Sequence, residues 1–223
     1  MKPIAILGGS FNPVHYGHLK MAEAAMESTH FSKVLFIPTG TPYHKEQKDL
    51  LPFSDRLKLL ELAIENCPDF DCSPIEGERD GNSYTIDTVR ELLWQNPTNS
   101  YSLLIGTDQF LTLRSWHKII ELGQLVDFYI ANRNGEMSFS TFQKEKEALE
   151  KELSLHCKLF PMPAIDLSST EIRKLLKEGN HKAEIYIEKD IYIEKDIHSI
   201  EESWKKKNFC KKSKKFESIY RSI

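Results

Sequence analysis

Gly8-Gly9-Ser10-Phe11-Asn12-Pro13-Val14-His15-Tyr16-Gly17-His18 stands where a short apolar run, Pro3 to Leu7, gives way to helical spacing. Beyond it, Leu19, Ala22 and Met26 recur across His18 to Thr29. A strand that enters a helix through glycines suits an anion. Glycine lets the backbone approach a phosphate closely, and the first N–H groups of a helix point at it unpaired. The spacing is not G-x-G-x-x-G, and no Lys-Ser/Thr follows the glycines, so the turn is neither a dinucleotide fingerprint nor a P-loop. His15 and His18, three residues apart at the helix start, can face one crevice and donate to phosphoryl oxygens as charge develops there. Two plainer roles compete. A histidine at a helix start can be a local cap, and a histidine pair can begin a metal site, although no third ligand stands nearby.

Outward from this turn, apolar runs alternate with helical patterns. Strands are predicted at Lys33 to Ile37, Phe70 to Cys72, Tyr101 to Ile105, Leu125 to Ala131 and Cys157 to Phe160. Helices are predicted at Asp55 to Asn66, Tyr84 to Gln95 and Phe139 to Leu153, the last charged and placed on the surface. Strands alternating with helices imply β-α-β units and a mostly parallel sheet. Right-handed crossovers then leave a ligand crevice at the carboxyl ends of the strands, near a topological switch point.

A second helix start carries the same chemistry. Leu167-Ser168-Ser169-Thr170-Glu171-Ile172-Arg173 opens the last good helix. Ser168 and Glu171 fit an S-x-x-E capping box, which is a sufficient structural reason for them. A hydroxyl-rich helix start also binds phosphate, and Arg173, one turn in, can reach triphosphate oxygens with its planar fork.

Together the two strings resemble the H-x-G-H and S-S-T-x-I-R motifs of the nucleotidyltransferase superfamily. The resemblance implies an α/β, Rossmann-like doubly wound fold, a mostly parallel sheet with helices on both faces, and transfer of a nucleotidyl group with release of pyrophosphate. Three middle segments resemble bacterial nicotinate-nucleotide adenylyltransferases: Pro42-Tyr43-His44-Lys45, Asn82-Ser83-Tyr84-Thr85-Ile86-Asp87-Thr88, and Gly106-Thr107-Asp108-Gln109-Phe110 followed by Leu113 and Trp116-His117. The resemblance spans about residues 1 to 178, with the motifs in the expected order. That family more often carries Asp where Asn12 stands; Asn keeps an acceptor and removes a charge.

The resemblance implies adenylyl transfer from ATP, with Mg²⁺, to nicotinate mononucleotide, giving deamido-NAD. His15, His18 and Arg173 would be catalytic. Gly8, Gly9, Ser10, Phe11, Asp108, Ser168, Ser169 and Thr170 would join them in holding ATP. Lys45, Tyr84, Thr85, Trp116 and Arg133 would hold the acceptor. Physical chemistry agrees for two of these. An aromatic face suits a pyridinium ring through stacking and cation–π attraction, which favours Trp116, and donors at a helix start suit a carboxylate, which favours Thr85. Each has a plainer role: core packing for Trp116, an N-cap for Asp108, a solvated loop lysine for Lys45. Rival acceptors are nicotinamide mononucleotide and pantetheine phosphate. A non-catalytic nucleotide- or RNA-binding protein is a rival of another class, drawing on the lysine-rich tail.

Composition bounds the rest. The chain has 223 residues, 40% hydrophobic and 28% charged, which excludes a disordered acidic chain and a membrane protein. No stretch approaches the roughly 18 apolar residues of a membrane span, and the first apolar run is too short for a signal-peptide core. Cys67, Cys72, Cys157 and Cys210 form no C-x-x-C pair, so reduced thiols in a cytoplasmic protein are expected. The net charge of −3 is a composite. Residues 205–223 hold eight Lys or Arg and one Glu, a net +7, leaving 22 basic and 32 acidic residues before them, a net −10. Gly179-Asn180 reads as a helix stop, and Tyr186 to Ile191 is repeated unchanged as Tyr192 to Ile197. The expected organisation is a catalytic domain over 1–180 and an atypical segment over 181–223, with the oligomeric state undetermined.

Overall fold

A computed structural model of the chain describes residues 3–41, 50–133, 135–163, 165 and 168–177. Six strands, β1 (Ile4–Gly9), β2 (Lys33–Pro38), β3 (Phe70–Cys72), β4 (Tyr101–Gly106), β5 (Asp127–Arg133) and β6 (Cys157–Met162), form one sheet in the order β3-β2-β1-β4-β5-β6. Every neighbouring pair is parallel. This is the doubly wound order, and its topological switch lies between β1 and β4.

The strands read as continuous apolar runs because both faces are covered. From β1, Ala5 and Leu7 face one core and Ile4 and Ile6 the other. The first core takes α1 (Tyr16–Ser28) and α2 (Phe53–Ile64) through Leu19, Ala22, Leu59, Leu60 and Ile64. The second takes α3 (Thr85–Gln95) through Ile86, Val89 and Leu92, and α6 (Phe139–Leu153) through Phe142 and Leu149. Only those two residues of α6 are buried, which fits its charged sequence.

Two short helices, α4 (Thr107–Leu111) and α5 (Ile119–Gly123), flank a single 3₁₀ turn at Leu113–Ser115. No helical spacing marks Ile119–Gly123 in the sequence. Five residues are too few to display a 3.6-residue period. Elsewhere the predicted elements differ from the observed ones only at their ends. The last helix, α7 (Ser169–Lys177), buries Ile172 completely. The Gly179-Asn180 stop, the hexapeptide duplication, the lysine clusters and the loop containing Lys45 lie outside the described residues. Among the described residues no helix is long and apolar enough to cross a membrane.

Candidate active site

β1 ends at Gly9, and the chain turns at Phe11, whose φ of 42° lies in the left-handed region. The Phe11 ring is buried and meets His18 edge-on, with centroids 4.9 Å apart. His15 is the N-cap of α1: its Nδ1 accepts from the Gly17 N–H at 3.1 Å. His18 closes the box, its Nδ1 accepting from the His15 N–H at 3.1 Å. An imidazole nitrogen that accepts carries no proton, so both neutral rings hold theirs on Nε2. The cap and the donor are therefore one arrangement rather than alternatives. The rings lie 3.8 Å apart between centroids. Burial lowers the His15 pKa to about 4, and the nearby Arg133 charge acts in the same direction, so His15 is neutral at neutral pH.

Asn12 is buried, and its Oδ1 accepts from the Leu51 N–H at 3.0 Å. An amide oxygen meets that need as well as a carboxylate would. The opposite side of Asn12 receives α7. Arg173 Nη1 donates to the Asn12 carbonyl at 2.7 Å, and Ser169 Oγ donates to the Pro13 carbonyl at 3.1 Å. Arg173 Nη2 donates to Thr170 Oγ1 at 3.2 Å, and Ser168 Oγ accepts from the Glu171 N–H at 3.1 Å, as a cap does. Two motifs more than 150 residues apart thus form one donor-rich surface.

Beside this surface a cleft of about 260 Å³ opens at the carboxyl ends of β1, β2 and β4. Gly8, Gly9 and Ser10 line it on the side of the glycine turn, Thr85 and Thr88 at the start of α3, and Trp116 beyond the 3₁₀ turn. Tyr84 makes no side-chain cap at the N-terminus of α3. Trp116 serves the core too, meeting Phe128 edge-on at 6.4 Å. Tyr84 precedes α3, but its ring lies on His117 at 4.3 Å and is not among the described residues lining the cleft. Asp108 does not cap α4; Gly106 does, its N–H donating to Gln109 Oε1 at 3.3 Å. Asp108 is exposed and folds over Gly106, where a Cβ would meet its Oδ1 at 2.5 Å. Arg133 is exposed at the end of β5, and its charge acts on His15.

A Cytidylyltransferase-like family model matches residues 6–175. A protein of Synechococcus sp. (strain JA-2-3B'a(2-13)), named a probable nicotinate-nucleotide adenylyltransferase, is 36% identical over 176 residues, covering 79% of this chain and 86% of its own. One of the same name from Desulfitobacterium hafniense (strain Y51) is 35% identical over 196 residues, covering 84% and 94%. The chain belongs to the nicotinate-nucleotide adenylyltransferase family. Its fold is shared with the Plasmodium falciparum nicotinic acid mononucleotide adenylyltransferase complexed with NaAD, at a TM-score of 0.66, 19% identity and coverage of 91% and 90%. A putative nicotinate-nucleotide adenylyltransferase from Vibrio parahaemolyticus matches at a TM-score of 0.53 and 22% identity, with coverage of 81% and 83%.

In this member of the adenylyltransferase family, sequence reasoning missed the polar residues behind the cleft. Arg56 and Glu76 are both buried, and Glu76, Ser83 and Thr88 line the cavity. One signal was available. Arg56 sits three and four residues before Leu59 and Leu60, on the apolar stripe of α2, where a solvated arginine does not belong. Glu76 lies in a turn with no periodicity, and its burial comes only from the chain folding over it.

Proposed function

We infer that this chain transfers the adenylyl group of ATP to nicotinate mononucleotide, giving deamido-NAD and pyrophosphate. The observation that carries the reading is the meeting of Arg173 and Ser169 with Asn12 and Pro13, which joins two phosphate-binding helix starts beside the Trp116 cleft. An ionised phosphate oxygen of the acceptor attacks the α-phosphorus of ATP in line. The bond from that phosphorus to the bridging oxygen breaks, and pyrophosphate leaves with the electron pair. The nucleophile is already deprotonated, so no general base is required, and catalysis consists of positioning and charge stabilisation.

In this scheme Nε2–H of His15 and of His18 donates to the phosphoryl oxygens as their charge shifts toward the leaving group. Arg173 spends two of its donors on Asn12 and Thr170, which aims the rest of the guanidinium at the triphosphate. Gly8, Gly9, Ser10 and Phe11 with Ser168, Ser169 and Thr170 frame the nucleotide, and Asp108 takes a ribose hydroxyl. On the acceptor side, the Trp116 face takes the pyridinium ring, and Thr85 at the start of α3 takes the nicotinate carboxylate. Lys45 and Arg133 are assigned to the acceptor phosphate, and Tyr84 to the acceptor beside Thr85.

The side chains of both motifs are donors, which suits phosphate oxygens better than a cation, and among the described residues no cluster of three His, Cys, Asp or Glu gathers. Mg²⁺ bound to the triphosphate would neutralise phosphate charge while keeping most of its waters. The catalytic unit covers residues 1–180, with 181–223 as an appendage. The setting is the cytoplasm, in keeping with free thiols at Cys67, Cys72 and Cys157. Burial pushes the Cys72 pKa up to about 11 and that of Cys157 up to about 12, so both are inert thiols.

Pyrophosphate release from Mg-ATP tests the reading, with nicotinate mononucleotide, nicotinamide mononucleotide and pantetheine phosphate compared as acceptors. The acid is expected to turn over fastest; a preference for the amide overturns the substrate assignment. A chain truncated at Gly179 is expected to keep the activity, and its loss would make the appendage part of the enzyme.

A further inference from the structure

The glycine-histidine turn and the α3 and Trp116 side of the cleft come from different chain segments, yet one buried side chain touches the supports of both. Arg56 is 1% exposed. Its Nη1 donates to the Ser10 carbonyl at 2.8 Å, in the nucleotide turn. Its Nε donates to the Leu51 carbonyl at 3.1 Å, beside the amide that Asn12 Oδ1 holds. Its Nη2 donates to the Gly40 carbonyl at 3.3 Å, just past β2. Gly40 packs on the backbone of Glu76, whose carboxylate accepts from the Thr88 hydroxyl at 2.7 Å, and Ser83 and Gly40 both favour the charged form of that carboxylate.

Gly40 is therefore held from both sides. The fit is close: a Cβ there would come within 2.1 Å of the Glu76 carbonyl oxygen and 3.1 Å of Ser83 Oγ. Ser83 is tied to the same loop, its N–H donating to the Thr41 carbonyl at 3.1 Å and its Oγ accepting from the Thr41 N–H at 3.3 Å. Ser83 immediately precedes Tyr84-Thr85, the start of α3. A continuous path of contacts thus runs from Ser10 through Arg56 and the Gly40-Thr41 loop to Ser83 and the α3 N-terminus, with Glu76 packed against Gly40. Burial favours the neutral forms of both ionisable groups, lowering the pKa of Arg56 and raising that of Glu76, and each group's neighbours oppose the shift. Arg79 beside Thr88 adds a second cation near the carboxylate.

We propose that Arg56 and Glu76 are a positioning pair that clamps the nucleotide turn to the acceptor cleft, so that ATP and the acceptor phosphate are held in line. This rests on the adenylyl-transfer reading. Neither residue need touch substrate. Their effect falls on the alignment of two bound molecules, where a displacement of about 1 Å can cost roughly 10²-fold in rate. Loss of the clamp should therefore lower kcat while leaving each substrate's own binding largely intact. A lysine at 56 keeps the charge but supplies one donor nitrogen in place of a fork that reaches three carbonyls.

The test measures kcat, both KM values, and the Kd of ATP and of nicotinate mononucleotide singly, on the full chain carrying Arg56→Lys, Glu76→Gln or both. Arg56→Lys is expected to lose about 10²-fold in kcat, with each single-substrate Kd within about threefold of wild type. Glu76→Gln should lose about 10-fold, and the double variant should be no slower than Arg56→Lys, because both act through Gly40. A kcat for Arg56→Lys within about threefold of wild type overturns the clamp. So does a parallel weakening of both Kd values that accounts for the whole rate loss, as general loosening would produce. If Arg56→Lys fails to fold, the same split in Glu76→Gln decides. A wild-type chain that turns over a different phosphate acceptor overturns the substrate reading alone, and the split measured with that acceptor still decides the clamp.

Discussion

The glycine-histidine turn and the Trp116 cleft are built in opposite ways. In the turn, the bonds that fix the two histidines run between residues two and three positions apart, His15 to Gly17 and His18 to His15. The cleft gathers Ile6, Ile37, Leu103, Thr85 and Trp116 from three strands, a helix start and a loop. A local device sets the tautomer of a donor whatever the sheet does. A cleft assembled from distant segments depends on sheet register and on buried polar braces such as Arg56. The turn should therefore fail through chemistry, and the cleft through binding and alignment.

His18→Ala is the most severe way to break that contrast. It removes one Nε2 donor, and such losses cost about 10²–10³ in rate, or 3–4 kcal/mol. It also frees the His15 N–H, for about 1 kcal/mol of stability. Steady-state pyrophosphate release should show the fall in kcat with the acceptor Kd unmoved; near-full turnover would remove His18 from the chemistry.

The next effect is on stability. His15 has a folded pKa of about 4, below the ordinary 6.5. Between those values the unfolded chain binds the proton and the fold does not. Stability from this group is complete above about pH 6.5 and is lost as pH falls toward 4, on the order of 3 kcal/mol in all. Denaturant titrations of wild type and His15→Gln at pH 4.5 and pH 7 should show the shallower acid loss in the variant. Parallel slopes would mean that the imidazole is not desolvated as its burial implies.

On the cleft side, Trp116→Ala should raise KM for nicotinate mononucleotide about 30-fold, near 2 kcal/mol, with kcat little changed, and Trp116→Phe should recover part of it. An equal loss in both KM values would assign Trp116 to the core contact with Phe128 instead. The smallest change expected is from Gly106→Ala. The new methyl group must displace the Asp108 carboxylate, for about 1 kcal/mol, read as a near fivefold rise in KM for ATP. An unchanged KM would take Asp108 out of the nucleotide site.

How much of this was legible follows the same division. The strands were readable because both faces of the sheet are covered, so each appears as an uninterrupted apolar run bounded by turns. The motifs at His15 and Ser168 were readable because a helix start has a local grammar. Tyr84 and Arg133 show the limit. Both sit where the motif order puts them, yet the Tyr84 ring turns onto His117, and the Arg133 charge falls on His15. Spacing places a Cα, and only packing chooses where a long side chain goes.

The amino-acid sequence by itself determined the doubly wound sheet, the two capped helix starts and the histidine pair, because apolar periodicity and capping act within a few residues. Only the tertiary structure decided that Arg173 would anchor on Asn12, that Asp108 would fold over Gly106, and that Arg56 and Glu76 would lie buried at either side of Gly40. Those bonds join segments whose separation along the chain carries no signal. Their worth comes from burial, where an unpaired charge or amide is costly and every polar group must find its partner.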